Sequence, residues 1–115
     1  MKVIIHALGA IVFFLISGLS LADTLPSFYS DIGILEIESW PNASNPTYSY
    51  MVRMDKSLSA TGCSSPNVFS VKAGDYHEQS LSILLAAMMS VKKVKIRVVE
   101  CTDRPIVDRV AIINN

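Results

Sequence analysis

The chain has 115 residues, carries ten basic against ten acidic side chains, and is 50% hydrophobic. That balance excludes a global electrostatic pull on nucleic acid or acidic membranes, and the apolar content is too high for a disordered chain. The length suits one domain with one core.

Lys2 opens an apolar run from Ala7 through Leu19, with Phe13 and Phe14 at its centre, and Ser20-Leu21-Ala22 follows. Small residues at Ser20 and Ala22 fit a secretory cleavage site, so residues 1–22 read as a signal peptide and 23–115 as a single mature domain. The competing reading is an uncleaved membrane anchor, because Val3 to Leu21 approaches the length of a bilayer span. With cleavage, no stable membrane insertion is expected, and the protein is expected to be secreted or periplasmic. No cysteine precedes Cys63, which excludes lipidation at a new N-terminus. In an oxidising compartment the two cysteines, Cys63 and Cys101, predict one disulfide.

Asp23 to Ser30 reads as a leader arm on the surface. Asp31 to Trp40 reads as a first strand, with Leu35 and Ile37 alternating with Glu36 and Glu38. Two prolines and two asparagines in 41–46 then predict a hairpin loop. Thr47 to Met54 predicts a second strand, with Tyr48, Tyr50, Val52 and Met54 on one face. Asp55 to Pro66 reads as a long loop holding Cys63, pinned by the disulfide. Asn67 to Lys72 gives a short third strand.

A helix is expected over Tyr76 to Ser90, with Asp75 and Glu78 in a capping-box-like arrangement and Leu81, Leu84, Leu85 and Met88 forming an apolar stripe. Val91 to Glu100 is a strand whose Val94, Ile96 and Val98 alternate with Lys93, Lys95 and Arg97. Cys101 to Pro105 turns the chain, and Ile106 to Ile113 closes it. The order β-β-β-α-β-β makes the protein mainly β with one helix, and suggests a small OB-fold-like Greek-key barrel. An open α+β sheet with one packed helix is the alternative.

Little here suggests catalysis. His77 is the only histidine after Ala22 and reads as an ordinary helix residue, no nucleophile-elbow motif frames a serine, and Glu36 and Glu38 read as solvated strand carboxylates. Cys63, Cys101 and His77 lack the short spacings of a metal site, so neither metal nor cofactor is expected. Lys93, Lys95 and Arg97 should share one strand face, about 7 Å between successive members. Such a row suits an anionic sugar, a phosphate or an acidic protein edge, or simply protects an exposed strand from pairing. Tyr48 and Tyr50 could stack on bases, but the exported setting and neutral charge argue against nucleic acid. Trp40, Tyr48 and Tyr50 near the Pro/Asn loop suit sugar recognition, in which a ring covers the apolar face of a pyranose. Core packing is the competing role for the two tyrosines. Asn42-Ala43-Ser44 matches a glycosylation sequon.

The signal segment, the β-β-β-α-β-β order over Asp31 to Ile113, the Cys63/Cys101 pair, and the helix Tyr76 to Ser90 followed by Val91 to Glu100 together resemble the B subunits of bacterial AB5 toxins, in particular the subtilase-cytotoxin-like group. The resemblance is architectural, and no family sugar-binding motif can be laid on these residues. It implies a non-catalytic module that binds glycans and forms homo-oligomers through strand edges and helices. The alternative is a periplasmic structural or envelope-stress protein with a protein partner.

Overall fold

The computed structural model describes residues 22–114. The segment read as a signal peptide therefore lies outside the described residues but for its last, Ala22. Six strands form one mixed sheet, β1 (Ser27–Ile32), β2 (Ile34–Ser39), β3 (Tyr50–Met54), β4 (Val68–Val71), β5 (Val94–Cys101) and β6 (Pro105–Ile112), with one helix, α1 (His77–Ser90), between β4 and β5. The order across the sheet is β1-β5-β6-β4-β3-β2. Only β4 and β6 run parallel, with Ser70 opposite Ile106 and Val71 opposite Val107.

No ladder joins β1 to β2, so the sheet is not closed, yet these two outermost strands are consecutive in the chain and meet at Gly33. The expected surface leader is thus a correction. From Ser27 onward it is β1, paired with β5 through Ser27 to Val98 and Tyr29 to Ile96. The Asp23 amide donates to the Ala60 carbonyl at 2.6 Å, and the Tyr29 hydroxyl donates to the Asp23 carboxylate at 2.7 Å, which ties the start of the described chain to the fold. The single strand expected over 31–40 is broken because Asp31 takes φ of 61° and the β1 register slips between Tyr29 and Ile32. Aspartate tolerates that left-handed conformation better than most residues, and it turns the chain at the strand end.

Period-2 alternation holds best in the central strands. Val94, Ile96 and Val98 of β5 are fully buried while Lys95 is exposed, and Tyr50, Val52 and Met54 of β3 enter the same core. Each such aliphatic side chain contributes about 1.5–3 kcal/mol by leaving water. In β2 the alternation fails: the register shifts between Ile34 and Glu36, so Ile34 and Ile37 pack on the core and Leu35 is 57% exposed. Tyr48 leaves the expected second strand for a short 3-10 turn, Pro46–Tyr48, whose Asn45 side chain accepts from the Thr47 amide.

Helix α1 packs against β6 and β2 and buries Ser80, Leu84 and Ala87. The expected capping box is absent. Tyr76 is the N-cap and its side chain caps nothing, while Glu78 lies in the first turn. Leu85, expected in the buried stripe, is exposed, because the inward line runs through 80, 84 and 87. At the C-cap Val91 is left-handed, and its amide donates to the Ala87 and Met88 carbonyls.

Cys63 and Cys101 form a disulfide, with their Cα atoms 5.6 Å apart. It fastens the β3–β4 loop to the end of β5. That loop contains a second 3-10 turn, Ser59–Thr61, stopped by Gly62 at φ 80°. Among the described residues, no helix is long and apolar enough to cross a membrane.

Candidate functional site

Lys95 and Arg97 of β5, and Lys93 just before it, alternate with the buried Val94, Ile96 and Val98, but the three cations are not equivalent. Lys93 donates to Asp55 Oδ2 at 2.6 Å. Arg97 grips Asp108 with two nitrogens, at 2.9 and 2.6 Å. The hydrogen bond to Lys93 holds the Asp55 carboxyl below the usual carboxylate range, and that to Asp108 raises Arg97. Two of the three charges are therefore neutralised, and a continuous anion-binding row is not formed. Lys95 makes no ion pair among the described residues and instead lies over the Phe28 ring, 5.3 Å from its centroid.

Strand pairing then builds a groove on this face. Phe28 of β1 stands opposite Arg97, Arg97 stands opposite Arg109 of β6, and Lys95 stands opposite Ala111. Phe28 and Lys95, with Arg109, Val110, Ala111 and Tyr76 from the start of α1, line a groove of about 520 Å³. Its aromatic walls are open to solvent, Phe28 at 52% and Tyr76 at 67% exposure. Arg109, like Lys95, has no carboxylate partner among the described residues. The groove thus joins two exposed rings to two unpaired cations.

Sequence reasoning placed Lys95 here but missed Phe28, Tyr76 and Arg109. Phe28 fell in the segment read as a leader. Tyr76 and Arg109 come close only through packing of α1 on β6, which no local period reveals.

The remaining candidates lie elsewhere. Trp40 is 45% exposed and lines a separate depression with Glu38, Ser39, Pro41, Asn42 and Ala43, which shares no residue with the groove. Tyr50 is 5% exposed, and its hydroxyl donates to the His77 carbonyl at 3.0 Å. Burial pushes that hydroxyl above its ordinary range. Tyr48 donates to Thr102 Oγ1 at 3.3 Å and carries the Arg104 guanidinium over its ring, 5.5 Å from the centroid. Both tyrosines are held by the fold.

His77 Nε2 lies 3.5 Å from Ser49 Oγ, and its ring is tilted on Tyr50. No carboxylate orients that histidine through a hydrogen bond among the described residues. Glu36 sits 3.8 Å from Arg53 with both side chains half exposed, a solvated cross-strand pair. Asp103 is held below the usual carboxylate range by Arg104, whose guanidinium is 3.0 Å away and mostly buried. Among the described residues, no three of His, Cys, Asp or Glu gather as metal ligands.

The sequence matches no protein-family model and no curated protein.

Proposed function

We propose that this protein is an exported, non-catalytic binding module that takes an acidic glycan in the Phe28/Tyr76/Lys95/Arg109 groove. The observation that carries the reading is the pairing of two unneutralised cations with two solvent-open rings in one concavity. A ring can cover the apolar face of a pyranose, while the ammonium and guanidinium take a carboxylate or phosphate on its rim. Charge-assisted hydrogen bonds of that kind each contribute about 1.5–3 kcal/mol.

An OB-type barrel is the architecture we infer for the module. If β1 and β2 count as one strand bent at Gly33, the sheet has five strands and its two ends belong to a single strand. That agrees with a five-stranded, partly open Greek-key barrel, a form that binds oligosaccharides. The toxin B-subunit likeness is proposed on the same grounds, together with the disulfide and the helix before the last two strands. Export is supported by the apolar leader in the sequence and by the disulfide.

An array of neutral and acidic saccharides probed with purified protein tests the reading. Retention of acidic members, reduced about tenfold or more by Lys95→Glu or Phe28→Ala and unaffected by Trp40→Ala, is expected. A blank array with well-folded protein overturns it and moves the alternative, a protein partner, to the front.

A further inference from the structure

We propose, resting on the acidic-glycan reading above, that the groove takes an internal stretch of an acidic polysaccharide, about three or four sugars laid across the strands, and not a single terminal acidic sugar. The two solvent-open rings stand at opposite ends of the groove. Phe28 belongs to β1, and β5 and then β6 follow it across the sheet. Residues paired opposite one another share a face, so Phe28, Arg97 and Arg109 form one row over three adjacent strands. The ladder from β4 reaches only Ile106 and Val107 of β6, which leaves the far side of Arg109 and Ala111 open to Tyr76 at the start of α1.

Strand spacing sets the length of the ligand. Neighbouring strands lie about 4.8 Å apart, so β1 and β6 are separated by roughly 10 Å, and Tyr76 lies further on. A pyranose in a chain advances by about one such spacing, so the two rings cover different sugars with at least one other between them. The cations fall between the rings. Lys95 lies over Phe28, and Arg109 stands on the Tyr76 side, diagonal to Lys95 across β5 and β6. Diagonal neighbours of this kind are about 7–8 Å apart, which suits acidic groups on successive sugars. Between the rings Arg97 is held by Asp108, and that pair offers the middle of a chain a carboxylate acceptor and guanidinium donors for neutral hydroxyls. Both end rings are exposed, so a chain can continue past either of them.

The test is calorimetric titration of protein purified from cells expressing the full-length gene with two length series, oligouronates and sulfated oligosaccharides, from the monosaccharide to chains well beyond the groove. Affinity in a series that binds is expected to rise about 100-fold up to about four sugars and then level off. A neutral sugar added to the non-reducing end leaves it unchanged. Phe28→Ala and Tyr76→Ala each weaken the long chains about tenfold and move the plateau to shorter ones. Circular dichroism confirms that each variant is folded, and because Tyr76 is so exposed, its truncation remains readable if Phe28→Ala unfolds. A monosaccharide bound as tightly as the longer chains, or binding lost when the chain end is blocked, overturns the inference and leaves the acidic-glycan reading standing. So does an affinity that climbs with length without levelling and ignores both ring substitutions, which is the behaviour of unspecific polyanion attraction. Absence of binding in both series with folded protein overturns the inference and that reading together.

Discussion

Gly33→Ala probes the point where the sheet's two outermost strands meet. The Gly33 amide donates to Asp55 Oδ1 at 2.7 Å, the Asp55 amide donates back to the Gly33 carbonyl at 3.0 Å, and Lys93 holds the other carboxylate oxygen at 2.6 Å. A methyl group on Gly33 would run into that carboxylate and approach Lys93 Nζ. The Asp55 side chain is 29% exposed, so it can swing aside, but only by giving up the Gly33 bond and loosening the Lys93 pair. Losing a hydrogen bond to a charged group costs about 1.5–3 kcal/mol, and the surface pair adds under about 1 kcal/mol. The stiffer unfolded chain of the alanine variant offsets about 0.4–1 kcal/mol. The expected net loss is about 0.5–3.5 kcal/mol, the difference of these terms. Urea unfolding of the wild type, Gly33→Ala, Asp55→Ala and the double variant measures it as a cycle. With Asp55 truncated the obstacle is gone, and Gly33→Ala should become neutral or stabilising. An equal penalty in both backgrounds would refute the reasoning and place the cost in the backbone instead.

Three further outcomes are expected. Replacing Cys63 and Cys101 by serine releases a cross-link spanning 38 positions, and loop-closure entropy puts the loss at about 4 kcal/mol. Urea midpoints with and without the bridge check this, and a loss under about 1 kcal/mol contradicts it. Asp55 has a folded pKa below its unfolded value, so its contribution is present above about pH 4 and is lost as pH falls through the lower folded value. Asp55→Asn should therefore flatten the acid limb of a stability profile, and an unchanged limb excludes the pair as its source. Val91→Gly should raise stability by about 1 kcal/mol, because a β-branched residue there sits at φ 55° where glycine is unstrained. A fall in the urea midpoint counts against that account of the cap.

The parts of the fold that were legible are those in which the local period and the burial coincide. β5 reads directly because Val94, Ile96 and Val98 are all core and the residues between them are charged. The disulfide follows from an even cysteine count in a chain with an apolar leader. β1 was illegible, since Ser27 to Ile32 has weak alternation and gains its strand character from pairing with β5. The break at Gly33 depends on Asp31 and on the Asp55 carboxylate, which is 22 positions away. Leu85 repeats at helical spacing with Leu81 and Met88, so period alone could not show that it faces outward.

The site was legible only in part, for the same reason. The charges of Lys93, Lys95 and Arg97 are plain in the sequence, but which of them stays free is decided by Asp55 and Asp108, brought in by the β3–β4 loop and by β6. Trp40 stood out as an exposed aromatic and is one. Phe28, Tyr76 and Arg109 become neighbours of Lys95 only once β1, α1, β5 and β6 are assembled.

Amide chemical-shift mapping tests the binding groove most directly, with labelled protein titrated by the acidic saccharide that an array retains. Saturable shifts centred on Phe28, Tyr76, Lys95 and Arg109, abolished by Lys95→Glu, are predicted. Shifts confined to Trp40 through Ala43, or shifts that survive Lys95→Glu unchanged, would contradict the assignment.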